Sequence, residues 1–319
     1  MTKQATIFGG SGFVGRYIVR RLVNADWNVV VAVREPDRAK DMKTFGADGQ
    51  VTLTACNICD EEEVAAALEG SQATVSCVGT FDRAGPNNFN AIQHQGAERI
   101  ARLSSEKGVQ NLVHISSIGA DKSSDSIYSQ TKAKGEESIL NHFPEAVILR
   151  PSVIFGPEDA FFNRFAAMTK LNPLLPVVGA DTRFQPVFVD DVAEATVKAV
   201  EGEVDLGTYE LGGPEALSFK QLMQLMLGVI DRNRAIVNIP FPIARIMAFG
   251  METAQSLSGG LIPAQITADQ VRSLGRDNVV SAGAKTLKDI GIAPTAMRDV
   301  LPEYLWKYRP SARYDKAPG

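Results

Sequence analysis

Residues 5–16 have the sequence Ala-Thr-Ile-Phe-Gly-Gly-Ser-Gly-Phe-Val-Gly-Arg, an apolar strand that runs directly into a glycine-rich turn. Glycine in such a turn permits a tight bend and a close approach of the backbone to a pyrophosphate, and the helix that follows offers free N–H groups. The motif stands at the first β–α junction, so we expect it to bind a dinucleotide as well as turn the chain. The predicted contacts are Gly9, Gly10, Ser11, Gly12, Phe13, Val14, Gly15 and Arg16.

Apolar, β-branched segments alternate with helical segments through the first half of the chain. The pattern predicts strands at residues 5–8, 28–33, 51–55, 73–78, 111–116 and 146–150, and helices at 12–24, 61–68, 89–107 and 128–141. Strands that are apolar throughout are typical of a parallel sheet covered on both faces. We therefore predict an α/β fold with a Rossmann-type doubly wound parallel sheet.

A proline-punctuated, loop-rich region follows Pro151. We predict a dinucleotide-binding domain over residues 1–160, to which the chain returns at about 187–212, and a smaller, mostly helical C-terminal domain over 161–319. In the returning segment, Asp190 and Asp191 are predicted to cap a helix, and Ser218 to cap the next one.

The composition excludes several classes of protein. A net charge of −4 and a pI near 5.6 give no reason to expect nucleic acid as a partner. Three cysteines are too few for a disulfide framework. The first strand begins at once, with no stretch resembling a signal or transit peptide, so we expect a cytoplasmic, bacterial protein without a membrane-spanning helix.

The end of the second strand carries basic residues where NAD-binding sites usually place an acid. Arg34 and Arg38 stand there, and a guanidinium suits a 2′-phosphate through bidentate hydrogen bonds. We therefore predict NADP(H), preferred over NAD(H). The alternative is a solvated basic turn in which Glu35 holds the ribose.

Further cofactor contacts are predicted where later strands end. Asn57 and Ile58 would contact the adenine, and Val78 and Gly79 follow the fourth strand. Cys56 and Cys59 have redox-type spacing, but a structural role is favoured, and no metal site is predicted.

A tyrosine and a lysine lie four residues apart after the fifth strand. Tyr128 and Lys132 share one helix face, and a nearby ammonium would favour tyrosinate. Ser116 or Ser117, at the strand end, would orient a substrate carbonyl or contact the cofactor. The same pair can be catalytic or can only grip the ribose of a resident cofactor, and the sequence leaves both possibilities open.

These motifs together resemble the short-chain dehydrogenase/reductase superfamily, in its extended and atypical branches. The resemblance rests on the glycine turn, on Tyr128-x-x-x-Lys132, on the Arg-Pro dipeptide at 150–151 and on residues 189–193. It implies that Lys132 binds the nicotinamide ribose. It also implies that the nicotinamide pocket is lined by Pro151, Ser152, Val153 and Ile154.

A narrower resemblance covers nearly the whole chain. Residues 154–165, 185–189 and 289–309 are similar to the NADPH-binding accessory subunits of respiratory complex I. This implies a tightly bound, non-catalytic NADPH and other peripheral-arm subunits as partners. It also implies a peripheral location on the cytoplasmic side of the bacterial inner membrane. The alternative is a free-standing NADP-dependent reductase or epimerase-like enzyme that uses Ser117, Tyr128 and Lys132; a nucleotide-sensing regulator is a third hypothesis.

Residues 236–265 are unusually apolar and contain a stripe at helical spacing. Its members are Ile243, Ile246, Met247, Gly250, Ala254 and Leu257. The stripe can belong to the core of the C-terminal domain or can face a partner subunit or membrane lipid. The last twenty residues carry several basic side chains, which favour either an anionic surface or simple solvation.

Overall fold

The structure, a computed structural model, describes residues 3–80, 85–257 and 266–310, with the backbone alone for 256 and 257. The basic tail beyond 310 and residues 258–265 of the apolar segment lie outside this range. The strands are β1 (Gln4–Phe8), β2 (Asn28–Val33), β3 (Val51–Ala55), β4 (Ala73–Ser76), β5 (Asn111–Ile115), β6 (Val147–Pro151), β7 (Ile154–Phe155), β8 (Leu174–Val178), β9 (Arg183–Phe184), β10 (Val187–Phe188), β11 (Gly207–Leu211), β12 (Leu217–Ser218) and β13 (Ala235–Ile239).

The helices alternate with the strands in the first half and cluster in the second. They are α1 (Phe13–Asn24), α2 (Glu61–Ala67), α3 (Ala97–Glu106), α4 (Ile127–His142), α5 (Phe162–Met168), α6 (Val189–Val200), α7 (Phe219–Val229), α8 (Phe241–Leu257), α9 (Ala268–Ser273) and α10 (Met297–Leu305). A π-helix (Asn90–Gly96) leads into α3, and 3₁₀ helices lie at Pro36–Phe45, Leu287–Ile290 and Trp306–Tyr308. No helix of the described segments is long and apolar enough to cross a membrane.

Seven parallel strands form the central sheet in the order β11-β6-β5-β4-β1-β2-β3. Ile7 at its centre lies beside Val31 of β2 and Val75 of β4, and all three side chains are buried. The chain reverses its direction of winding between β1 and β4, which is where α/β sheets of this kind bind ligands at their carboxyl edge. The predicted doubly wound sheet is confirmed.

Helices cover both faces of the sheet, which explains why its strands are apolar throughout. One core cluster includes buried side chains of α1 and α6, such as Ile18 and Val192. The opposite cluster includes side chains of α2, α3 and α4, such as Val64, Ile100 and Ile139. The carboxyl edge of the sheet is therefore the open side of this layered core.

The C-terminal part has its own core of aromatic and aliphatic side chains from α5, α7 and α10. Two hydrogen bonds join its last helical segment to the region after β7. Tyr304 donates to Asp159, and Tyr308 donates to Asn163 at 3.0 Å. Two stretches that were separate parts of the sequence resemblance are thus in direct contact.

Sequence patterning missed the parallel pair formed by β8 and β13, which lies outside the central sheet. Residues 174–178 contain Pro176, which argues against a strand in sequence patterning, because proline lacks the N–H that a central strand needs. In a two-stranded ribbon each strand has one unpaired edge, and a proline is tolerated there. Residues 235–239 are largely exposed, so they lack the apolar alternation that predicts a strand.

The apolar stripe of α8 faces away from the core. Ala244 and Ala248 form the buried side of the helix, packed in a cluster with Val178 and Val271. The stripe itself is on the outer side, where Ile246 is 73% exposed. Phe249, which is not part of the stripe, lies on the same side and is 71% exposed. Of the two alternatives that the sequence left open, the structure favours an outward-facing stripe, because small alanines fill the space beneath the helix.

The two aspartates at the start of α6 do not cap it, contrary to expectation. Phe188 is the N-cap residue, and both carboxylates lie in the first turn. Asp190 pairs with Arg21 of α1 at 2.7 Å. Asp191 is buried and accepts hydrogen bonds from the backbone N–H and the hydroxyl of Thr295, each at 2.7 Å.

We predict that Asp191→Ala lowers the free energy of unfolding by about 2 kcal/mol, because two hydrogen bonds to a charged acceptor are lost. Asp191→Asn keeps one of the two side-chain oxygens that accept from Thr295, so its free energy of unfolding should fall less. Urea denaturation of the three proteins measures the difference. An unfolding free energy unchanged in Asp191→Ala would show that the Asp191–Thr295 contact does not hold α6 to the C-terminal segment.

Candidate functional site

The glycine turn after β1 brings the backbone of α1 against that of the turn. A Cβ on Gly15 would lie 2.4 Å from the carbonyl oxygen of Gly9, so only glycine allows this approach. Gly9 has a left-handed φ of +82°, and a side chain there would meet the carbonyl of Cys77 after β4. The turn therefore lies at the switch point of the sheet, pressed against both neighbouring segments.

The N-terminus of α1 suits a bound anion. Gly12 is its N-cap, no described side chain caps it, and its first turn contains no acidic residue. Phe13 and Val14 turn inward: Phe13 lies beside Gly156, and Val14 packs on the core. The backbone N–H groups of Ser11, Phe13 and Val14, together with the helix dipole, form the kind of cradle that holds a pyrophosphate, while the N–H of Gly12 donates to the carbonyl of Gly9 at 3.0 Å.

The basic residues predicted to select a 2′-phosphate are in different situations. Arg16 donates to the carbonyl of Ser11 at 3.1 Å and pairs with Asp41. Arg38 pairs with Glu35 at 2.9 Å. Arg34, directly after β2, is exposed and has no ion pair with any described residue. Arg34 is thus the cation left available at this corner of the site.

The residues predicted on the adenine side follow β3 and β4. Asn57 is exposed, and its side-chain oxygen accepts from the backbone N–H of Cys59 at 3.1 Å. Ile58 instead packs into the core, and its carbonyl accepts from Arg99 at 2.8 Å. Val78 lies against Gly9, and a Cβ added to Gly79 would meet nothing within 4 Å, so open space adjoins this segment.

The tyrosine and lysine lie on α4, with the lysine buried under the sheet edge. Lys132 is 5% exposed, and its ammonium donates to the carbonyl of Ile115 at 3.2 Å. Burial lowers the pKa of Lys132 to about 8, against the opposing effect of Glu136. Phe89 stacks edge-on against Tyr128 with ring centroids 5.9 Å apart.

The tyrosine does not have the depressed pKa that the sequence suggested. Burial raises the pKa of Tyr128, and a hydrogen bond with Ser117 opposes that rise only in part. The buried ammonium of Lys132 donates instead to the carbonyl of Ile115, at the end of β5. The structure therefore brings Ser117 and Tyr128 together as predicted partners, with the phenol protonated at neutral pH.

The hydroxyl of Ser116 does not point toward the predicted cofactor site. That hydroxyl donates to Glu136, which is 5% exposed and also accepts from Arg150 at 2.9 Å. Glu210 of β11 lies 3.9 Å from the same guanidinium. Sequence analysis missed this buried ionic group; the signal was present as a carboxylate one helical turn after Lys132, on the same face.

A close contact sets the depth of α4 against the π-helix. A Cβ on Gly135 would lie 2.1 Å from the carbonyl oxygen of Gln93, so α4 can approach only because this position is glycine. The side chain of Gln93 accepts from Thr131 at 2.9 Å in the same contact. These contacts fix the height at which Lys132 meets the sheet edge.

The segment after β6 was predicted to line the nicotinamide pocket. Pro151 ends β6, and its carbonyl accepts a hydrogen bond from the N–H of Ile118. Val153 packs against the core of the C-terminal part, and Ile154 packs against the cluster that includes α1 and α6. The hydroxyl of Ser152 donates to Asn278, at 2.9 Å to the carbonyl and 2.7 Å to the side chain. Asn278, which sequence analysis missed, therefore joins this segment to the C-terminal part.

Burial keeps two of the three cysteines protonated. Burial raises the pKa of both Cys56 and Cys77 to about 12, and the three cysteines are free thiols. His114 is buried in the core, with its Nδ1 3.1 Å from the hydroxyl oxygen of Ser76. Among the described residues, no group of three metal-binding side chains comes together.

A seven-stranded parallel sheet with this glycine turn defines a dinucleotide-binding Rossmann protein. The NAD dependent epimerase/dehydratase family matches residues 5–212, and the chain belongs to that family. One solved structure of this fold is the dTDP-glucose 4,6-dehydratase DesIV of Streptomyces venezuelae, with NAD and TYD bound. It is 18% identical, covers 95% of this chain and 96% of its own, and superposes with a TM-score of 0.72.

More similar relatives are subunits of respiratory complex I. The NADH dehydrogenase [ubiquinone] 1 alpha subcomplex subunit 9 of Arabidopsis thaliana is 33% identical over 96% of this chain and 78% of its own length. The NADH-ubiquinone oxidoreductase 40 kDa subunit of Neurospora crassa is 30% identical over 98% of this chain and 82% of its own. The predicted resemblance to complex I subunits is confirmed.

The buried lysine predicts a pH-dependent stability of the cofactor-free protein. Its pKa is about 8 folded and 10.5 unfolded, so between these values the unfolded chain binds more protons. The free energy of unfolding should therefore rise with pH across this range, by up to about 3 kcal/mol from this group. Urea denaturation between pH 7 and pH 10.5 measures the rise.

Lys132→Met should be more stable than the parent at pH 7. Its free energy of unfolding should also lack the part of the increase with pH that the Lys132 ammonium causes in the parent. Lys134→Met, which changes an exposed lysine on the same helix, should keep it. If the two variants and the parent show the same dependence on pH, the ammonium of Lys132 is not desolvated.

Proposed function

We propose that this protein is an accessory subunit of a bacterial respiratory complex I that holds NADPH as a structural, non-catalytic cofactor. The observation that carries the proposal is its similarity to two complex I subunits over nearly the whole chain. We place the protein peripherally, on the cytoplasmic side of the inner membrane. A cofactor that binds only the folded state stabilises it by mass action, by about 2.7 kcal/mol at a hundred times its Kd.

The cofactor site is supported by the match between its donors and the parts of NADPH. The amides at the N-terminus of α1 would hold the pyrophosphate, and Lys132 and Tyr128 would hold the nicotinamide ribose. Arg34 is exposed and unpaired among the described residues at the place where a 2′-phosphate would lie. A neighbour of the same fold has NAD bound, which supports the nucleotide class.

The raised pKa of Tyr128 favours a role in holding a cofactor over a role in catalytic turnover. A phenol with a raised pKa is a weaker acid, so it donates a proton to a substrate carbonyl less readily. The ammonium of Lys132 donates one hydrogen bond to the carbonyl of Ile115, which leaves its other two N–H groups for ribose hydroxyls. We therefore assign Tyr128 and Lys132 to gripping the ribose.

The outer face of α8 is the surface we assign to a neighbouring complex I subunit. Ile243, Ile246, Met247 and Phe249 are all exposed on it. Contiguous exposed apolar side chains of this size mark interaction surfaces on soluble proteins. The relatives are named as subunits of NADH dehydrogenase and NADH-ubiquinone oxidoreductase, so we propose that this face packs against a peripheral-arm subunit, with membrane lipid at its rim.

A free-standing NADP-dependent reductase or epimerase-like enzyme is the second candidate. The hydrogen bond between Ser117 and Tyr128 favours it, because that pair can orient and protonate a carbonyl oxygen. It differs from the first candidate in requiring substrate-dependent oxidation of NADPH that depends on the Tyr128 hydroxyl.

Arg34→Ala should weaken binding of NADPH by about tenfold or more, because a charge-assisted hydrogen bond to the 2′-phosphate is lost. Binding of NADH should change little. Fluorescence titration with both nucleotides measures the two affinities. Lys43→Ala, which removes an exposed charge nearby, should leave both unchanged. Equal losses for NADPH and NADH in Arg34→Ala would argue against a 2′-phosphate at this corner.

A tagged copy of the chain should co-migrate with the NADH dehydrogenase subunits in stoichiometric amount after gentle detergent extraction of native membranes. A native gel followed by mass spectrometry measures this. The paired variant Ile246→Asp with Phe249→Asp should release the protein from the assembly without unfolding it, since both side chains are exposed.

If the parent protein migrates alone in the soluble fraction, the accessory-subunit proposal is wrong. Oxidation of NADPH with a carbonyl substrate, lost in Tyr128→Phe, would then support the reductase.

A further inference from the structure

Residues 266–281, here called the strap, cross the carboxyl edge of the sheet. The strap begins with α9, whose Val271 shares a core cluster with Ala244 and Ala248 of α8. The backbone N–H of Ala268 also donates to Glu252 of α8 at 3.0 Å. The first half of the strap is thus packed and hydrogen-bonded to the helix that carries the exposed apolar face.

Asp269 in the strap holds the N-terminus of α4. It is 2% exposed, and its carboxylate accepts from the hydroxyl of Ser126 and the N–H of Ile127, both at 2.8 Å. The N–H of Tyr128 lies 3.3 Å from the same carboxylate. A carboxylate here satisfies amides that α4 cannot pair internally and complements the helix dipole.

The second half of the strap grips the same edge of the sheet. Arg276 pairs with Asp121 at 3.5 Å and with Asp125 at 3.3 Å, in the loop before α4. Asn278 accepts from Ser152 after β6 and donates to the carbonyl of Ile118 at 3.3 Å. The strap therefore contacts the segments on both sides of the predicted nicotinamide pocket.

We propose that Asp269 is a positioning residue that couples occupancy of the nucleotide site to the order of the strap and α8. This inference rests on the proposed NADPH site. NADPH bound to Lys132 and Tyr128 restrains α4, and α4 is tied through Asp269 to α9 and so to α8. Because such coupling is reciprocal, whatever steadies α8 also tightens the nucleotide site, and loosening Asp269 weakens both.

Hydrogen–deuterium exchange of the full chain, with and without NADPH, tests the coupling. In the parent protein, NADPH should slow exchange in peptides covering residues 9–24, and also in peptides covering 241–257 and 266–281. In Asp269→Asn the protection of 9–24 should remain, while that of the two distant segments is lost. The Kd for NADPH should rise by about fivefold, the lower end of usual coupling strengths.

Asp277→Asn is the matched control, because Asp277 is an exposed carboxylate of the strap that accepts from the N–H of Arg183 and not from α4. It should keep the parent pattern. Ser126→Ala removes one donor to Asp269 and the hydroxyl that caps α4 at the N–H of Ser129, but it keeps the carboxylate and its bond to Ile127, so it should show a smaller loss in the same direction. This variant carries the test if Asp269→Asn does not fold.

The outcomes separate the inference from the function on which it rests. Protection of 9–24 without protection of 241–257 and 266–281 in the parent overturns the coupling and leaves the NADPH site standing. Equal protection of the distant segments in the parent and Asp269→Asn also overturns it. No protection of 9–24 by NADPH removes the proposed cofactor site and the coupling together.

Discussion

The contact between Gly15 and the carbonyl of Gly9 is the constraint on which the rest of the structure depends. It sets α1 directly against the end of β1, with no room for a side chain between them. This leaves the first amides of α1 open at the switch point of the sheet. Every other part of the candidate site is arranged around those amides, because parallel strands end at the same edge.

The helix that carries Tyr128 and Lys132 is restrained from three directions. Gly135 lets it sit against a carbonyl of the π-helix, Glu136 joins it to Arg150 of β6, and Asp269 holds its N-terminus. These restraints keep Lys132 buried, and its desolvation lowers the pKa of the ammonium. A site that rigid suits retention of a cofactor, and it is tied physically to the segment that follows α8.

The chain combines an enzyme family's fold with an apolar outer helix. Membership in the NAD dependent epimerase/dehydratase family explains the sheet, the turn and the Tyr-Lys pair. The exposed side chains of α8, such as Ile246 and Phe249, are a separate feature. Their exposure fits a protein whose relatives are subunits of a larger assembly, since such a surface is unfavourable in water unless another molecule covers it.

Local spacing along the sequence was sufficient for the sheet, its helices and the glycine turn, because β–α alternation and glycine requirements are encoded within a few residues. It was insufficient for contacts between distant residues, such as Asp269 with Ser126 or Glu136 with Arg150, which exist only after the chain returns to the sheet edge. The apolar periodicity identified the stripe on α8, but it did not show whether the stripe faces the core or the outside of the protein. Tertiary packing decided that, since alanines on the opposite side of the helix occupy the limited space beneath it.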